Sequence, residues 1–128
     1  MAGIQHDHLT TDAHAEIDSA LSELSLHDVV IPRPAEVRGY LLRFPDIVGV
    51  ARSAAIAASR RLGAKAQLSL ELYRDPEIAD EYLTIYVRQE RYDDSILETI
   101  DEISATHEEA LAAKSGWLLV TTDFGPPI

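Results

Sequence analysis

Ala66–Gln89 reads AQLSLELYRDPEIADEYLTIYVRQ, and this stretch decides the fold. In its first half Leu68, Leu70 and Leu72 alternate with Gln67, Ser69, Glu71 and Tyr73. In its second half Leu83, Ile85 and Val87 alternate with Tyr82, Thr84, Tyr86 and Arg88. A period of two places each leucine-type set on one face of a half-buried strand. Asp75-Pro76-Glu77 between them supplies turn chemistry, so the two strands form a hairpin.

Outward from the hairpin the period changes to that of helices. Upstream, Pro45 to Leu62 carries Ile47, Val50, Ala51, Ala54, Ala58 and Leu62 at helical spacing and stops at Gly63. Before it, residues 35–43 predict a short helix with Val37, Tyr40 and Leu41 on one side. Downstream, Ile96, Ile100, Ile103, His107, Ala110 and Leu111 predict an amphipathic helix over 95–114, opened by a Ser95/Glu98 capping box and stopped by Gly116. A last strand runs from Trp117 to about Asp123.

The expected fold class is therefore α+β, with an α-α-β-β-α-β body over 32–128. Its three-stranded antiparallel sheet takes the order 3-1-2, helices covering the leucine face. Val29-Val30-Ile31-Pro32-Arg33-Pro34 reads as an extended linker, because each proline removes a donor and restricts the residue before it. Residues 1–31 form an acidic arm whose first eleven residues are loose. Ile17, Ala20, Leu21 and Leu24 give it an amphipathic helix over about 12–26, either docked or partner-binding.

Composition bounds the function. The 128 residues carry a formal charge of -11, with 46% hydrophobic and 26% charged residues, the balance of one soluble globular domain. The charge comes in zones. Residues 1–31 hold six acids and no Lys or Arg; residues 32–64 hold six arginines against Glu36 and Asp46; the remainder is acidic again. The arm can thus fold back on the arginine zone or contact a second copy. An excess of acid argues against binding nucleic acid through phosphates. With no run of 18 apolar residues and no basic-then-apolar leader, no membrane span and no secretory signal are expected, which suggests a cytoplasmic protein. The chain has no cysteine, which excludes disulfides and thiolate chemistry.

Chemical motifs are sparse. His6, Asp7, His8, Asp12 and His14 cluster in the arm without a rigid element to orient them, so no metal site is expected. Asp75, Glu77, Asp80 and Glu81 lack the length and glycine of a calcium loop. There is no Gly-x-Ser-x-Gly and no phosphate loop, and no cofactor is expected. The partner-binding candidates are Ile17, Leu21 and Leu24 on the arm, and Glu71, Tyr73, Tyr82, Tyr86, Arg88 and Trp117 on the sheet face opposite the leucines.

Tyr40-Leu41-Leu42-Arg43-Phe44-Pro45-Asp46-Ile47, Leu68–Glu77 (LSLELYRDPE) and Gly116–Phe124 (GWLLVTTDF) resemble a family of short, uncharacterised bacterial proteins. The resemblance covers about two-thirds of the chain. It implies a compact α+β module and no catalytic residue, and some members resemble partners in two-gene pairs of the toxin–antitoxin kind. The expected function is a small acidic protein-interaction module, antitoxin-like or immunity-like, that neutralises a basic protein partner. Two alternatives stand beside it. One is an enzyme or accessory subunit using His107 or the acids at Asp75 and Asp80 at a dimer interface; the other is a homo-oligomer paired through the open edge of the second strand.

Overall fold

The computed structural model describes the backbone of residues 2–128 and the side chains of residues 13–128. The hairpin forms as its alternation requires. Strand β2 (Gln67–Arg74) pairs antiparallel with β3 (Glu81–Arg88), from Gln67 opposite Arg88 to Arg74 opposite Glu81. The Asp75 N–H donates to the Asp80 carbonyl (2.9 Å), and the Asp75 carboxylate accepts from the Glu77 N–H (2.8 Å), closing the loop.

Two further strands flank the hairpin. Strand β1 (Val29–Val30) runs parallel to β2, with Val29 opposite Leu68. Strand β4 (Leu118–Thr121) runs parallel to β3, with Leu118 opposite Leu83. The sheet is thus four-stranded and mixed, in the order β1-β2-β3-β4. This corrects the expected three-stranded antiparallel sheet of order 3-1-2. The place beside β2 belongs to Val29-Val30, and the last strand settles against the free edge of β3. That edge is therefore closed to the self-pairing considered above. Two residues are too few to show a period, which is why Val29-Val30 reads as linker.

The helices lie on the leucine face. Helix α1 is Ala2–Leu26, α2 is Pro34–Arg43 and α3 is Val48–Leu62, entered through a 3-10 turn at Pro45–Ile47. Asp28 takes a left-handed φ of 61°, which ends the run of α1 before β1. Gly63 (φ 55°) ends α3, its N–H donating to the Ser59 carbonyl. Arg74 and Glu81, on the leucine face of β2 and β3, pair with Glu36 and Arg43 of α2. The side chains of Ala54, Ala55 and Ala58 on α3 are fully buried in the core.

The expected helix over 95–114 is two helices, α4 (Ile96–Ala105) and α5 (Glu108–Ala112). Thr106 breaks it by turning its hydroxyl back to the Ile103 carbonyl (2.7 Å), and His107 Nδ1 approaches the same carbonyl at 3.1 Å. The capping box does not form either. Ser95 sits at φ -93°, ψ 7° rather than in the extended conformation a capping hydroxyl needs.

Both crossovers, β1-α2-α3-β2 and β3-α4-α5-β4, pass over the same face while their strand pairs run in opposite directions. They are therefore of opposite hand, and one departs from the usual right-handed connection. The consequence for function is simple. One face of the sheet is buried under helices, and the other has none.

Candidate functional site

The uncovered face is built in rows across β2, β3 and β4, because side chains alternate and the registers align them. At the hairpin end the row is Tyr73, Tyr82 and Trp117. Tyr73 lies opposite Tyr82, and the β3–β4 register carries Trp117 beside Tyr82. The two tyrosine rings sit 4.9 Å apart, tilted by 30°. The next row is Glu71, Thr84 and Leu119, then Ser69, Tyr86 and Thr121.

Thr84 lies at the centre of this face and is 1% exposed. Its hydroxyl has no hydrogen-bond partner among the described residues. Buried polar groups are almost always paired, so this oxygen carries a desolvation cost without return.

The far end of the face is closed by a polar network. Arg88, with its side chain 9% exposed, donates to Glu71 (3.1 Å) and to Asp123 (2.9 and 3.2 Å) and lies 4.6 Å over the Tyr86 ring. Ser69 donates to the same Glu71 oxygen (2.8 Å). The C-terminal segment is tied down here. Tyr92 donates to the Gly125 carbonyl (2.6 Å), and the Gln67 amide bonds both the N–H and the carbonyl of Ile128.

The electrostatics follow the same division. The Arg88 guanidinium holds the Asp123 carboxyl below its ordinary pKa, helped by the Gly125 N–H. Burial first, then Tyr73 and the loop acids Asp80 and Asp75, push the Tyr82 phenol up. Burial likewise raises Tyr86, with Glu71 and Asp123 adding to it and Arg88 opposing. Both phenols are therefore neutral at pH 7 and able to donate a hydrogen bond.

The sequence-derived candidates separate accordingly. Tyr73, Tyr82, Tyr86, Glu71 and Trp117 share the uncovered face, as their alternation implies. Arg88 shares it too, but its donors are taken up by Glu71 and Asp123. Ile17 and Leu24 are fully buried in the core and Leu21 is half-buried beside them, where α1 packs on α2 and α3. Thr84 also lies on this face, as its alternation implies, whereas Leu119 is not among the sequence-derived candidates. Leu119 stands in an apolar run with no polar neighbour to mark its exposure, and an unpaired hydroxyl leaves no trace in sequence.

The other chemistry-bearing residues do not converge. His107 Nδ1 bonds only Thr106 Oγ1 (2.7 Å) and the Ile103 carbonyl, while Asp75 and Asp80 close the hairpin loop. His14 Nδ1 is bonded to Arg38 (2.8 Å). The rest of the expected histidine cluster, His6, Asp7, His8 and Asp12, lies outside the described side chains. Among the described residues no three of His, Cys, Asp and Glu are gathered as a metal ion requires, and no helix is long and apolar enough to cross a membrane. Comparison with protein-family models, with curated proteins and with solved structures returns no match.

Proposed function

We propose that this chain is a small acidic protein-interaction module, an antitoxin-like or immunity-like neutraliser that seats a basic protein partner on the uncovered face of its sheet. The observation that carries the reading is the aromatic row Tyr73, Tyr82 and Trp117 on a face without helices. Tyrosine and tryptophan concentrate binding energy at interfaces, each offering a rigid apolar ring with a polar end. A net charge of -11 favours a basic partner and speeds the encounter at low salt.

The test is capture. The immobilised chain is exposed at low salt to extract of its native cell, alongside Tyr82→Ser and Thr84→Val. A basic protein should be retained and released by salt, with Tyr82→Ser weakening retention by about tenfold or more. Thr84→Val should raise the melting temperature, by relieving the buried hydroxyl, and leave retention unchanged, because the group lies beneath the surface a partner would touch. Failure to retain any protein, or retention unchanged in Tyr82→Ser, would remove the reading.

A further inference from the structure

The far end of the uncovered face shows how this sheet holds an arginine. Arg88 lies 4.6 Å over the Tyr86 ring and donates to two acids, Glu71 at 3.1 Å and Asp123 at 2.9 Å. A guanidinium suits both contacts at once, because its plane lies on a ring while its N–H groups reach carboxylates. The hairpin end of the same face repeats the rings and the acids without the arginine.

Two rows build that end. Tyr73 and Tyr82 stand opposite each other with ring centroids 4.9 Å apart, and Trp117 borders Tyr82 on the β4 side. Beyond them the Asp75 N–H donates to the Asp80 carbonyl, so the ladder continues past Arg74 and Glu81. Alternation puts Arg74 and Glu81 on the leucine face and returns Asp75 and Asp80 to the face of the tyrosines. Their charge reaches Tyr82, where, after burial and Tyr73, it helps to raise the phenol. Carboxylates directly opposite each other repel unless a cation joins them. Among the described residues none does. Arg43 and Arg74 are drawn instead to Glu81 and Glu36, and the Asp75 carboxylate accepts the Glu77 N–H.

We infer that an arginine side chain of the basic partner completes this end, its guanidinium lying over Tyr73 and Tyr82 and donating to Asp75 and Asp80. The inference rests on the reading that a basic protein seats on this face, and it names the residue that the partner presents there. Charge and shape both select it. Lysine can approach the carboxylates but has no plane to lay on the rings. A neutral side chain of the same shape leaves the two acids facing each other uncompensated. Trp117, 48% exposed at the end of the aromatic row, gives the aliphatic stem of the arginine an apolar wall.

The probe is a Gly-Arg-Gly peptide with blocked termini, beside its lysine and citrulline counterparts. Trp117 is the only tryptophan and reports binding by fluorescence. The arginine peptide should give a saturable change, the lysine peptide should bind about threefold or more weaker, and the citrulline peptide should give none. The double variant Asp75→Asn with Asp80→Asn keeps an acceptor for the Glu77 N–H and removes both charges. It should weaken the arginine peptide by about fivefold or more. It should also raise the melting temperature by relieving the facing acids, so weaker binding is not loss of fold. An equal response to the lysine or citrulline peptide, or binding unchanged in the double variant, overturns the inference. In the capture experiment the double variant should likewise retain the basic protein less well. Retention lowered by Tyr82→Ser yet untouched by the double variant overturns the inference and leaves the broader reading standing. Capture of nothing removes that reading, and the peptide titration still decides the site.

Discussion

A Cβ added to Gly116 would stand 2.8 Å from the Phe44 Cβ and 3.1 Å from Ile47 Cδ1. Gly116 therefore does more than stop a helix, which is all its position in the sequence suggests. It lets the chain between α5 and β4 lie against the turn that opens α3. Nearby, the Ser115 N–H (2.7 Å) and hydroxyl (2.9 Å) donate to Asp46. The backbone of Trp117 donates to the Tyr40 hydroxyl (3.0 Å). Gly116→Ala should lower stability by about 1–3 kcal/mol through overpacking. Gly49→Ala has nothing within 4 Å of the new carbon and should be neutral or slightly stabilising, because alanine is the better helix former. Chemical denaturation of the two variants checks the contrast.

Among the elements, α1 takes the docked one of the two roles its stripe allows, and it runs from Ala2 rather than from about residue 12 after a loose start. The stripe of Ile17, Ala20, Leu21 and Leu24 was legible from spacing alone. The charge zones left two neighbours open, the arginine zone of the same chain or a second copy, and an amphipathic helix by itself does not choose between them. Here the neighbours are α2 and α3, and ion pairs pin the contact at its rim: Arg38 with Asp18 (2.8 Å) and Arg52 with Glu23. The acidic zone thus folds back on the arginine zone of its own chain. Leu24→Ala should cost about 2–5 kcal/mol, the range for a fully buried leucine, as read by thermal and urea melts. Removing residues 1–31 would strip Ile17, Leu24 and Val29 from the core and β1 from the sheet. The truncated chain should show no cooperative melt.

For the molecule as a whole, acid stability follows from paired carboxylates. Arg38 holds the Asp18 carboxyl below its ordinary value, Arg52 does so for Glu23 and Arg43 for Glu81. The Ser115 N–H does the same for Asp46. A carboxyl whose pKa is lower folded than unfolded contributes stability that is complete above its unfolded value. That contribution is lost as pH falls through the folded one. The melting temperature should therefore fall on acidification below about pH 4–5. Asp46→Asn should start from a lower melting temperature and fall less over the same interval, a comparison that scanning calorimetry makes directly. The sequence by itself determined the hairpin, the stripes of α1 to α4 and the faces of β2 and β3, since each rests on a local period set by backbone geometry. Tertiary structure decided the strand order, the pairing of Val29-Val30, the break at Thr106 and the unpartnered state of Thr84. Each of these depends on which distant segment reaches an edge or a donor first, and no local period records that competition.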